Sequence, residues 1–173
     1  MTASSNSKAG LGVVINNVEF ARKALEFHDT ISVCRFSRLM EVLLADEGVL
    51  DCYLKGSVNS EGKPSLQLQV TGSLQLRCQR CLEPFAFEVD AAANFILVAD
   101  EQAIPSEEDE SDEMDYLVAD MQMSVIDLIE DEVLLALPLA PKHAEGQCEA
   151  SNQSKLDELK KPSPFAQLEK LKR

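Results

Sequence analysis

The sequence predicts an α+β domain: an antiparallel sheet of three or more strands, joined as a meander and packed by helices. Three observations carry this. Residues 49–58, 65–76 and 85–98 alternate apolar and polar side chains with a period of two, which marks strands with one buried and one wet face. Two other stretches, 36–45 and 124–137, repeat their apolar residues at helical spacing. Between the last of these strands and the 124–137 helix runs an acidic segment that reads as a mobile loop.

In "VLDCYLKGSV", Leu50, Cys52, Leu54 and Val58 share a face opposite Asp51, Tyr53, Lys55 and Ser57. "NSEGKP" is a turn. "SLQLQVTGSLQL" then sets Leu66, Leu68, Val70, Leu74 and Leu76 against Gln67, Gln69, Thr71, Ser73 and Gln75. "FAFEVDAAANFILV" places Phe85, Phe87, Val89, Phe95 and Leu97 on one side. Short turns between such runs make an antiparallel meander. The last two must pair as a hairpin around Cys78–Cys81.

Upstream, "VEFARKALEF" reads as a short helix and "FHDTISV" as a strand. "FSRLMEVLLADEG" puts Phe36, Leu39, Met40 and Leu43 on one helical face, with Gly48 as the stop. Cys34 and Cys52 read as small buried fillers. In "SVIDLIEDEVLLALP", Val125 or Ile126, Ile129, Val133 and Leu137 form the apolar stripe, and Asp127, Glu130 and Asp131 face out. Ser124 and Asp127 resemble a capping box, and Pro138 ends the helix. In "KKPSPFAQLEKLKR", Ser163 and Pro164 start a short basic helix. The expected organisation is a flexible arm at 1–12, a core at 13–140 that includes the acidic loop 100–120, and a loop with the terminal helix at 141–173.

The chain has 173 residues, long enough for one well-buried core, and a formal net charge of −14. That charge is local: residues 100–132 hold fourteen acids and no Lys or Arg, leaving sixteen acids against sixteen bases elsewhere. The acidic stretch is a solvated loop or a docking strip for a basic partner, with Glu107, Glu108, Asp109 and Glu110 at its centre. Broad contact with a nucleic-acid backbone is disfavoured, because phosphate binding needs cations. Lys170, Lys172 and Arg173 are the candidates for a local RNA contact. The apolar run "LGVVI" is too short for a signal peptide or a membrane span, so a cytoplasmic protein is expected.

No Gly-rich phosphate loop, G-x-S-x-G elbow or H-E-x-x-H motif occurs. His28 lies in a strand-like segment and reads as a surface or packed histidine. An enzyme is not expected. The feature that asks for chemistry is "RCQRC". A thioredoxin-like pair wants its first cysteine at a helix N-terminus, whereas Cys78 ends a strand. At a hairpin tip a C-x-x-C is either half of a structural zinc site or a tight turn with two free thiols. The other half of a site is present in "HAEGQC": Cys78, Cys81, His143 and Cys148 together make a Cys₃His set. No other cofactor is implied.

"CQRCLEPFAFEV", then "DLIEDEVLLALPLAPKH", then a cysteine and a terminal "KPSPFAQL" with a basic tip, resemble the bacterial YceD family of large ribosomal RNA subunit accumulation proteins. The resemblance runs from the middle of the chain to its end. It implies a non-enzymatic role in the synthesis, processing or stability of 23S rRNA, and a large-subunit precursor as the partner. It carries over no catalytic residue. The acidity of the chain argues for reaching that precursor through a basic ribosomal protein or assembly factor, with direct rRNA contact left open and neither membrane nor DNA involved. The other reading is an acidic adaptor for a basic or enzymatic partner outside the ribosome.

Overall fold

A computed structural model describes residues 13–105 and 114–148. Its elements, in chain order, are β1 (Val14–Ile15), α1 (Asn17–Arg22), β2 (Glu26–Ser32), α2 (Ser37–Met40), β3 (Val49–Val58), β4 (Pro64–Arg77), β5 (Pro84–Val98), β6 (Asp115–Val118), β7 (Met123–Ser124) and α3 (Val125–Ala136). The fold is α+β, built on a five-stranded sheet in the order β2-β3-β4-β5-β6.

The alternating segments are strands, and their polarity pattern fixes the register. Leu50, Cys52 and Leu54 of β3, Leu66, Leu68, Val70 and Leu74 of β4, and Val89, Ala91, Ala93, Phe95 and Leu97 of β5 are buried in one core. Opposite them, Gln67, Gln69, Asn94 and Asp90 are exposed. Leu66 stands across from Phe95, Leu68 from Ala93 and Leu76 from Phe85, so β4 and β5 form one long hairpin. A slip of one residue would turn every one of these leucines to water, which is why the pattern alone specifies the pairing.

The helices cover the apolar face of this sheet. From α3, Val125, Leu128, Ile129 and Val133 join the core, as do Phe36 and Leu39 around α2 and Phe20 and Ala21 of α1. Ser124 accepts a bond from the Asp127 N–H at 3.3 Å and so caps α3. Asn16 does the same for α1 through the Glu19 N–H. Gly56 is what lets α1 lie so close to β3. A Cβ there would sit 2.5 Å from the Phe20 carbonyl oxygen and 2.7 Å from Ala21 Cα. Gly56→Ala should therefore cost about 2–3 kcal/mol through overpacking. A urea midpoint unchanged from wild type would show that α1 shifts freely instead.

Five expectations need correction. The sheet is mixed, because β6 pairs with β5 in parallel. The acidic segment 100–120 is not all loop: a 3₁₀ turn occupies Glu101–Ala103 and β6 occupies Asp115–Val118. The expected 36–45 helix is α-helical only over Ser37–Met40. The Leu44 N–H donates to the Gln75 carbonyl at 2.9 Å, so the end of β4 captures the chain before another turn can form. Cys34 is exposed; it occupies the middle of a 3₁₀ turn in which its neighbour Val33 takes the buried position.

The fifth is Glu130, which does not face out. Its side chain is buried, and Oε1 accepts the backbone N–H of Arg38 at 2.6 Å and of Leu39 at 2.9 Å. Oε2 accepts from Arg38 Nε at 2.9 Å, while Arg38 Nη1 reaches Asp131 at 2.5 Å. Helix α2 has no side-chain cap of its own, so a carboxylate from α3 satisfies its first N–H groups. Glu130 lies four residues after Ile126 and three before Val133, and so falls within the apolar stripe.

Candidate metal centre

The hairpin tip between β4 and β5 is a six-residue knuckle. The Cys78 N–H donates to the Glu83 carbonyl at 3.0 Å, and the Leu82 N–H folds back to the Cys78 carbonyl at 2.9 Å. Leu82 takes a left-handed conformation, φ 66°, to close the turn. The Arg80 N–H points at Cys78 Sγ, 3.4 Å away.

The second half arrives on the segment after α3. Leu137 leaves the helix in an extended conformation. The Pro141 carbonyl then accepts the Gln79 N–H at 2.8 Å, pinning this segment to the knuckle. His143 follows, its ring 5.0 Å from that of Phe85. Gly146, at φ 82°, turns the chain so that Cys148 comes back over the hairpin.

The four ligand atoms of Cys78, Cys81, His143 and Cys148 lie within 4.8 Å of one another. Cys78 Sγ is 3.7 Å from Cys148 Sγ, Cys81 Sγ is 3.3 Å from His143 Nδ1, and Cys148 Sγ is 3.7 Å from the same nitrogen. Tetrahedral ligation with metal–sulfur bonds near 2.3 Å sets sulfurs about 3.8 Å apart. A disulfide would need about 2.05 Å. The set can hold one metal ion.

Its electrostatics favour a cation. Burial pushes the Cys78 thiol up, but the N–H groups of Cys81, His143 and Arg80 outweigh it and hold the thiol down at about 5. Cys81 moves the other way. The Glu83 N–H favours its thiolate, yet burial and the sulfurs of Cys148 and Cys78 together raise its pKa. One thiolate is thus stable here, and a second beside it needs a compensating charge. Arg80 supplies part of that charge from outside, with Nε 2.9 Å from Cys148 Sγ. Arg77 is exposed at the end of β4.

The other candidates fall elsewhere. Glu107, Glu108, Asp109, Glu110, Lys170, Lys172, Arg173 and the terminal helix lie outside the described residues. His28 sits exposed in β2, with Nε2 2.9 Å from Asp51 Oδ1 across the strand pair. Among the described residues no helix is long and apolar enough to cross a membrane. Spacing alone did not reveal the Pro141–Gln79 bond or the Arg80–Cys148 contact, because a backbone carbonyl and a long flexible guanidinium leave no periodic signal.

A family model described as large ribosomal RNA subunit accumulation protein YceD matches residues 66–172, a span containing all four cluster residues. A curated protein of that name from Haemophilus influenzae is 30% identical over 175 residues, covering 95% of this chain and 98% of the relative. No solved structure matches the chain. With the knuckle, α3 and the returning Cys148 all inside the matched span, the chain belongs to the YceD family.

Proposed function

We propose that this chain is a non-enzymatic factor in large-subunit ribosome biogenesis, acting in the cytoplasm to support the synthesis, processing or stability of 23S rRNA. The observation that carries the reading is the family match, which spans the hairpin, α3 and the cluster. The name of the curated relative, an accumulation protein for large-subunit ribosomal RNA, supports the same role here. The partner is a large-subunit precursor, reached through a basic ribosomal protein or assembly factor.

In this reading the Cys₃His set holds zinc. Three soft thiolates and one imidazole suit that ion, and a set of four protein ligands leaves no position open for substrate. Bound there, zinc supplies a closed cross-link between the sheet and the segment after α3. The site therefore shapes a surface rather than performing a reaction.

Sucrose-gradient sedimentation of the tagged protein, with 23S rRNA measured after depletion, tests the role. Co-migration with large-subunit precursors and a fall in 23S rRNA are expected. A protein found only at the top of the gradient, with rRNA unchanged, would favour an adaptor outside the ribosome. Neutralising Glu107, Glu108, Asp109 and Glu110 should weaken the co-migration and flatten its dependence on salt. If instead Lys170, Lys172 and Arg173 are the residues whose replacement abolishes association, the contact is with RNA directly.

A further inference from the structure

The three cluster sulfurs differ in access and in neighbours. Cys78 and Cys81 are buried, whereas Cys148 is partly exposed. Cys148 also carries the contact from Arg80 Nε at 2.9 Å and stands 3.7 Å from Cys78 Sγ. An outer sulfur beside a cation, with a second sulfur directly behind it, is the arrangement of an oxidisable thiol and its resolving partner.

We propose that Cys148 is an oxidant-sensitive modification site, and that hydroperoxides convert Cys148 and Cys78 into a disulfide that dismantles the metal centre. The inference rests on the zinc reading only for the loss of metal; the thiol pair stands on its own geometry. In the first step Cys148 sulfur attacks a peroxide oxygen. An S–O bond forms, the O–O bond breaks, and hydroxide leaves beside the Arg80 guanidinium. Cys78 sulfur then attacks Cys148 sulfur, forming the S–S bond as the sulfenic oxygen departs as a second hydroxide. Two protons from solvent convert both hydroxides to water, when the peroxide is hydrogen peroxide. The two thiolates together lose two electrons and the peroxide gains them. Only Cys81 and His143 then remain as ligands, too few for a structural zinc. A dithiol reductant reverses the step, returning two electrons to the sulfurs.

The test uses the full chain carrying Cys34→Ser, which removes an exposed thiol outside the cluster. It is purified without a metal-affinity tag and treated with a few-fold excess of hydrogen peroxide. Peptide mapping without reductant should find the Cys78 and Cys148 peptides joined, roughly 2 Da lighter than the sum of the two thiol forms. A chromogenic chelator should register one zinc released per disulfide, and dithiothreitol with added zinc should restore both. Arg80→Gln, reloaded to the zinc content of the unsubstituted protein, should form the disulfide several-fold more slowly, because Arg80 Nε no longer sits 2.9 Å from Cys148 Sγ. Cys148→Ser should form no cross-link to Cys78. Zinc-loaded protein that yields only overoxidised cysteine, or a Cys78–Cys81 link, overturns the proposal. Protein that carries no zinc yet forms the Cys78–Cys148 disulfide overturns the zinc reading and leaves the thiol pair standing.

Discussion

Stripping zinc from the protein, or replacing Cys81 with Ser, should lower the thermal midpoint more than Gly56→Ala or Glu130→Ala does. Cys81 and His143 are 62 residues apart in sequence, and the metal would hold them together in the folded state alone. At free zinc about a thousand-fold above its dissociation constant, such linkage contributes roughly 4 kcal/mol. For a chain of this length that corresponds to about 10 °C or more in melting temperature. The loss should be matched by the metal content, near one zinc per chain before chelation and none after.

Acid should have the same effect as chelator. Cys78 has a folded-state pKa near 5, below its ordinary value of 9.0. A thiol lowered in this way adds stability that is complete above pH 9 and disappears as the pH falls through 5. Protons and metal compete for the same sulfur, so zinc should leave as the pH falls toward 5. Scanning calorimetry with and without a chelator, repeated at pH 5 and pH 8, checks both statements. Equal midpoints for the chelated and untreated protein at pH 8 would refute the metal centre.

Glu130→Ala should destabilise the domain by roughly 3 kcal/mol. The carboxylate is buried and satisfies two N–H groups at the start of α2, which alanine would leave unpaired. The ion pair itself adds less than a fully buried one would, because Arg38 is about half exposed and keeps Asp131 as a partner. Glu130→Gln should lose about half as much, since an amide oxygen can still accept from both backbone donors. Arg38→Met should cost less than Glu130→Ala. A double-mutant cycle on Glu130 and Arg38 separates the helix cap from the ion pair. If Glu130→Gln matched Glu130→Ala, the charge rather than the cap would be the dominant interaction.

These two sites show what the sequence made legible. The strands from Leu50 to Leu97 were readable because alternation reports the environment of each side chain directly. The Cys₃His set was readable as two short spacings, C-x₂-C and H-x₄-C, though not the contacts that bring them together. Glu130 was misassigned by residue type. Its position in the stripe of Ile126 and Val133 was the better guide, since a carboxylate can be buried when donors wait for it. Strand β6 was hidden for a different reason. Four residues beside an acidic run carry little pattern of their own, and a parallel neighbour has no hairpin turn to announce it.

The pairing of β1 with β7 has a kinetic consequence. Val14 stands opposite Ser124, and the Val125 N–H donates to the Val13 carbonyl, so the two-stranded sheet joins segments more than half the chain apart. The strands from β2 to β5, by contrast, each pair with their neighbour in sequence. Contacts that close long loops are entropically late, and contacts between successive strands are early. Folding should begin in the β3–β4–β5 hairpins and end when β1, β7 and α3 seal the structure. On the ribosome this order becomes temporal. Cys78 and Cys81 are presented on a finished hairpin while His143 and Cys148 are still to be synthesised, so a nascent chain carries half of the Cys₃His set until residues 143–148 emerge.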